Sequence, residues 1–304
     1  MSKHIRIIDP ILSNIARGYS NGEFVGHALF PRVPVMVSGG QIIQFGKEAF
    51  MRYNTRRAPG ANTKRIDFGY EGQPFALENH AIEALVPVEW MRDAAQVPGI
   101  DLATRGLQLA QKVLTRQLEE QQATLATTAA NYDAAHIEVL TGTGSLAAIT
   151  NITEWIDSKK ELIRSQTAQY PNKMVVGPQV FRVLRNLEVV REHFKYTSSA
   201  SVTAQMLAQF FDIPQIVVGT GVMSDQDGTF GDIWGNDIVL AYAPDNPVGR
   251  EEPSYGYTYE MEGHPVVAQP YYDENRRSWV YGTDHERAPV IAGKGAAALI
   301  KNAG

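Results

Sequence analysis

Apolar positions change their rhythm several times along the chain, and each change marks an element. After Asp101, residues Leu107, Ala110, Leu114, Leu118 and Leu125 recur at steps that place them on one face of a helix. Asp101, following Pro98–Gly99, supplies the N-cap, and the pattern predicts a helix reaching about Thr127. At 1.5 Å per residue that helix is about 40 Å long, a spine and not a connector. HIEVL (136–140), KMVVG (173–177) and QIVVG (215–219) predict strands. ITEWIDSKKELIRS (152–165), PQVFRVLRNLEVVREHF (178–194, with Pro178 near its start) and SVTAQMLAQFFDI (201–213) predict helices. GDIWGNDIVLAY (231–242) predicts a hairpin turning at Gly235–Asn236. YGYTYEM (255–261), VVAQPYY (266–272) and SWVYGT (278–283) predict a β-meander with turns at Glu262–Pro265 and Asp273–Arg277. APVIAGKGAAALIKNA (288–303) adds a last strand and a short apolar tail. The expected class is α+β: a β-rich body with a spine helix, interrupted by an α/β insert over about 150–250.

The segment between the N-terminal arm and the spine helix has a different character. Residues 1–35 are rich in turn formers, and Pro31 and Pro34 impose extended backbone. Then GGQIIQFGKEAFMRY (39–53) and RIDFGYEGQPFALENHAIEALVPV (65–88) read as two extended arms around a tip with Pro59–Gly60. Arms of about fourteen residues reach about 45 Å. A compact body of this length has a radius of gyration of roughly 19 Å. The hairpin therefore has to project. Its tip carries Arg52, Arg56, Arg57, Lys64 and Arg65, with no acidic residue between Arg52 and Arg65.

That basic tip stands out because the chain as a whole is acidic, with a formal charge of −5 over 304 residues. A dedicated nucleic-acid binder usually carries the opposite balance. An acidic body with one basic projection suggests self-complementarity, the arm of one copy lying on another. Such a head-to-tail contact builds rings and closed shells. The absence of cysteine excludes disulfides and thiolate chemistry and fits a reducing compartment. No run of 18 apolar residues and no signal-peptide core occurs, so folding in the cytoplasm is expected.

Catalytic motifs are weak. Gly142-x-Gly144-x-x-Ala147 after HIEVL fits the dinucleotide template locally, but Ile149–Asn151 intervene before the helix and the acidic residues Asp157 and Glu161 lie inside it. A loop between domains explains the stretch better. The seven histidines are scattered without metal-ligand spacing. Ser224–Gly228 resembles a calcium loop only at its start and reads as an ordinary turn. Glu89, Glu119 and Glu120 read as solvated or interface charges. No cofactor and no enzymatic activity are expected.

In order, IDPILSNIARGYSNGEFVGHALFPRVPV, FGKEAF before the basic tip, LTGTGS followed by Asn151–Ile152, YPNKMVVGPQVFRVLRN, DIWGNDIVLAY and AAALIKNA resemble the major capsid protein of tailed bacteriophages, a fold shared with encapsulin shells. The resemblance implies an N-terminal arm (1–35) and an extended loop (36–85) lying across the adjacent subunit. It further implies a peripheral domain (86–150 and 251–284, spine helix 101–127) and an axial domain (151–250 and 285–304) around five-fold and six-fold axes. Lys47, Arg52, Tyr53, Arg56, Arg57, Lys64 and Arg65 become inter-subunit contacts. The implied function is a self-assembling shell of pentamers and hexamers around double-stranded DNA, in a virion assembled in the bacterial cytoplasm. Its implied partners are further copies, a separate scaffolding protein or none, a portal and, in some members, a decoration protein, with no membrane. Certain members cross-link a loop lysine to a neighbouring asparagine; Lys47 and Lys64 lie in that loop, but no motif supports the bond. An encapsulin-type compartment is the alternative, and a nucleotide-binding enzyme a remote one.

Overall fold

The structure, a computed structural model, describes residues 12–13, 22, 24–43, 56–57, 59, 72–94, 101–141, 146, 148–195, 201–224, 227–245 and 254–304. Two sheets and a long helix organise it. The helix, α2 (Leu102–Thr127), follows a short α1 (Val88–Ala94), and Asp101 caps it by accepting the Ala103 and Thr104 N–H groups. This is the predicted spine.

The first sheet has six strands. At its centre β14 (Ser278–Ile291) pairs antiparallel with β11 (Gly256–Met261) and with all ten residues of β4 (Glu78–Pro87). The short β12 (Val266–Val267) and β13 (Tyr271–Asp273) also pair with β14, and β1 (Arg32–Val35) runs parallel to β11. Spine helix α2 lies on one face: a Cβ at Gly106 would meet Ala84 and Val86 at 3.4 Å. The predicted strands form, but not as a meander: β11, β12 and β13 each pair with β14 and not with one another, and β14 continues through APVI. The boundaries expected at 85 and 284 fall inside β4 and β14. From Glu78 onward the chain leaves the hairpin, because β4 gains a ten-residue ladder that an isolated arm lacks.

The second sheet has five strands in the order β5 (Ile137–Val139), β15 (Ala297–Lys301), β10 (Ile238–Ala241), β6 (Lys173–Val176), β7 (Gln215–Val218). Apart from Lys173 and Lys301 at strand ends, its central strands are apolar because both faces are covered. Met174, Val176, Ile238, Leu240, Ala298 and Ile300 face a core closed by α3 (Ile152–Thr167), α4 (Pro178–Asn186), α5 (Glu188–Phe194) and α6 (Ala204–Phe211). Val175, Val239, Ala241 and Leu299 face the end of α2, Trp234 and the arm residues Leu29 and Phe30.

Two elements differ from expectation. The helix predicted over 178–194 breaks at Leu187, whose extended ψ of 137° separates α4 from α5 and lets Leu184 and Val190 both reach the core. The hairpin predicted over 231–242 does not form. Its turn exists, with Gly235 at φ +55°, but β9 (Phe230–Asp232) pairs with β8 (Val222–Ser224) while β10 enters the five-stranded sheet. A strand as apolar as IVLA is stabilised by cover on both faces, which a two-stranded hairpin cannot provide.

Candidate assembly interface

The root of the predicted hairpin lies within the described residues and is anchored by one buried side chain, Phe75. β2 (Gly39–Ile43) pairs antiparallel with β3 (Gly72–Ala76), and Leu77 N–H donates to the Ser38 carbonyl at 2.8 Å. Phe75 stacks on Tyr259 with ring centroids 4.3 Å apart, inside a cluster with Val33, Val35 and Tyr257. The chain thus supplies its own anchor for the root, on the sheet face opposite α2. Arg56, Arg57 and Pro59 are exposed. The remaining residues expected at the contact, Lys47, Arg52, Tyr53, Lys64 and Arg65, lie outside the described residues.

Beyond the root, that sheet face carries carboxylates. Ala84 and Val86 point at α2, so by strand alternation Glu83 and Asn79 point away from it. Their cross-strand partners are Gly282 and Glu286, and Asp284 lies between them opposite Ala81. The Tyr271 hydroxyl stands 3.5 Å from Glu83 Oε2. At the end of this face Leu85 and Tyr271 are exposed. Tyr272 and Trp279, in register with Val86, lie on the α2 side and are also partly exposed. A carboxylate surface ending in Leu85 and Tyr271 can take a basic, partly apolar strand by charge pairing and apolar contact.

Glu119 departs from its expected role. It is only 2% exposed, and its carboxylate accepts Val25 N–H at 2.8 Å, Gly26 N–H at 2.9 Å and the Trp234 indole N–H at 2.6 Å. One side chain on the spine therefore ties down the arm and the loop before β10. Gly26 permits this: a Cβ there would lie 2.1 Å from Gln122 Oε1. The signal in the sequence was slight, since Glu119 precedes Ala123 and Ala126 on a stripe that begins as an ordinary apolar face. Glu120, beside it, is exposed as expected.

The nucleotide-like stretch looks no more catalytic here. Its strand β5 is the edge of the sheet, and Asn151 caps α3 by accepting Glu154 N–H at 3.4 Å, after the intervening residues. Gly142, Gly144 and Ala147 lie outside the described residues. Among the described residues no group of three or more His, Asp or Glu is placed to hold a metal, and no helix is long and apolar enough to cross a membrane.

Comparison with known proteins points to a structural family. The family model described as phage major capsid protein E matches residues 103–280. The major capsid protein of Burkholderia phage BcepMu is 34% identical over 302 residues, covering 97% of this chain and 96% of that one. The crystal structure of a phage-related protein from Bordetella bronchiseptica RB50 is 43% identical, with a TM-score of 0.84 over 99% of each chain. The SrpI encapsulin of Synechococcus elongatus shares the fold at 13% identity and a TM-score of 0.53, over 97% of this chain and 95% of that one. The α+β class and the phage-capsid likeness expected from the sequence are both met, and the chain belongs to the phage major capsid protein E family, a family of structural capsid proteins and not of enzymes.

Proposed function

We propose that this chain self-assembles into pentamers and hexamers that close an icosahedral shell around phage double-stranded DNA, with its basic hairpin strapped across the neighbouring copy. The observation that carries the reading is the pairing of opposite surfaces on one chain. Arg56 and Arg57 are exposed at the tip, and Glu83, Asp284 and Glu286 sit on a sheet face that α2 leaves uncovered. Because tip and face belong to the same chain, each copy has a place for its neighbour's tip, and repetition of a head-to-tail contact closes rings. The arm (1–35), loop (36–85), peripheral domain (86–150 and 251–284) and axial domain (151–250 and 285–304) keep the assembly roles expected above, with the loop ending at Leu77 where β4 begins. Assembly in the host cytoplasm, with a portal and with or without a separate scaffolding or decoration protein, belongs to the same reading. The net acidity suits a wall that must not grip its contents: tight, salt-sensitive binding of the subunit to duplex DNA would count against that part.

The test reverses the tip. Wild-type chain should give hollow shells or rings of five and six copies by size exclusion and negative-stain microscopy. Arg56→Glu with Arg57→Glu should leave the circular dichroism of the subunit unchanged and abolish or loosen those particles. Normal shells from the double variant remove the strap.

A further inference from the structure

Behind the acidic face, on the side toward α2, the sheet buries a row of ionisable groups. Arg287 is 0% exposed, and His285 and Glu260 are also buried. Arg287 donates Nη2–H to the Leu114 carbonyl at 2.8 Å, in the middle of the spine helix, and its Nη1 lies 2.9 Å from His285 Nδ1. His285 Nε2 makes a close, bent contact with Glu260 Oε1 at 2.9 Å. Across from it, Arg32 of the arm strand β1 reaches Glu260 Oε2 at 3.9 Å. The relay thus runs from spine helix through β14 and β11 to the arm.

The relay fixes the state of its histidine. A guanidinium only donates, so Nδ1 has to be the bare nitrogen, and the single proton of the neutral ring sits on Nε2 facing the carboxylate. A second proton would go to Nδ1. There it would set one N–H against another and one positive charge against a second, in a buried site where charges are weakly screened. We propose that Arg287, His285 and Glu260 form an acid-sensitive latch, closed while His285 is neutral, that joins the arm strand and the six-stranded sheet to the spine helix.

The surroundings favour the closed, neutral state. The charged groups facing His285 are Glu260 on β11, Arg287 on β14 and Arg32 on β1. Its cross-strand partner on β4 is a second histidine, His80, with Glu78 3.7 Å from its Nε2. From α2 comes the Leu114 carbonyl, while Asp284 and Glu286 belong to the opposite face. Burial is the largest influence on His285 and holds its pKa below the usual 6.5; Glu260 opposes that and Arg287 reinforces it. His80 is shifted the same way, by burial and then by Arg287. An unfolded chain therefore takes up these protons first as pH falls. The latch contributes in full above about pH 6.5 and weakens as the pH drops from there toward the folded-state value. Protons have a route: a groove of about 280 Å³ lined by Arg32, Pro34, Glu260, Glu262 and His264 opens onto the Glu260 end.

The test is amide hydrogen exchange on the full-length chain, between about pH 7.5 and about pH 5. After correction for intrinsic exchange, protection in β1 and in α2 around Leu114 should fall several-fold at the acid end, while β6 and β10 change little. His285→Gln offers an acceptor to Arg287 and a donor to Glu260 and does not titrate. It should retain its protection at the acid end, and His80→Gln should keep most of the wild-type loss. The same loss in His285→Gln as in wild type overturns the latch. If His285→Gln does not fold, exchange at the imidazole C2 of wild-type His285 decides. A titration midpoint below 6.5 supports the latch, and one at or above 6.5 overturns it.

Discussion

In the five-stranded sheet, Met174, Ile238, Leu240 and Ile300 pack on one face and Val175, Val239 and Leu299 on the other. In the six-stranded sheet, the face toward α2 carries Thr258, Glu260, Thr283, His285 and Arg287. Both faces are buried, yet they are held differently. An apolar core gains from every methylene it hides and loses in proportion to what is removed. A polar seam gains little from each pair and loses heavily when one partner goes missing, because the other stays buried without it. The five-stranded sheet is a fixed platform. The six-stranded sheet is a joint whose strength depends on matched partners.

The largest single-residue effect on stability should come from the platform. Leu240→Ala opens a void between α3 and the sheet and should cost about 3 to 4 kcal/mol in chemical unfolding. A loss of less than 1 kcal/mol would mean the helices collapse onto the gap, and the contrast with the joint would lose its force. Glu119→Ala should cost about 3 kcal/mol by orphaning the Val25, Gly26 and Trp234 N–H groups while removing few apolar contacts. Trp234 fluorescence should report its release, and an unchanged spectrum would argue that water replaces the carboxylate. The smallest effect should come from Thr283→Val. The Thr283 hydroxyl is fully buried without a hydrogen-bond partner among the described residues, so its replacement should be neutral or stabilise by up to about 1 kcal/mol. Destabilisation there would reveal a bonded water and tighten the seam's accounts.

This contrast also decides what was legible in the sequence. The spine helix could be read because one period runs from Leu107 to Leu125 and its cap is local. The strands KMVV and AALI could be read because burial on both faces leaves an unbroken apolar run. The 231–242 hairpin was misread for the same reason: Gly235–Asn236 is a local turn signal, but the destination of IVLA is set by distant faces. The seam was invisible. In DHER the alternation reads as a solvent-facing strand, and Arg287 is buried only because Leu114, some 170 positions earlier, offers a carbonyl. The basic tip was legible as a cluster in sequence. The acidic face proposed as its counterpart was not, since β4 and β14, far apart along the chain, supply it together.

The join between hairpin and sheet has a mechanical meaning. Only Leu77 separates β3 from β4. A pull arriving through β3 would therefore pass straight into a strand whose ten residues all lie in register with β14, every second pair of them hydrogen-bonded. Any component of that load along β4 is borne by the rungs together and not broken one after another. Tension on one side of the subunit is handed through a stiff member to the other, while Phe75 on Tyr259 keeps the lever from swinging at its pivot.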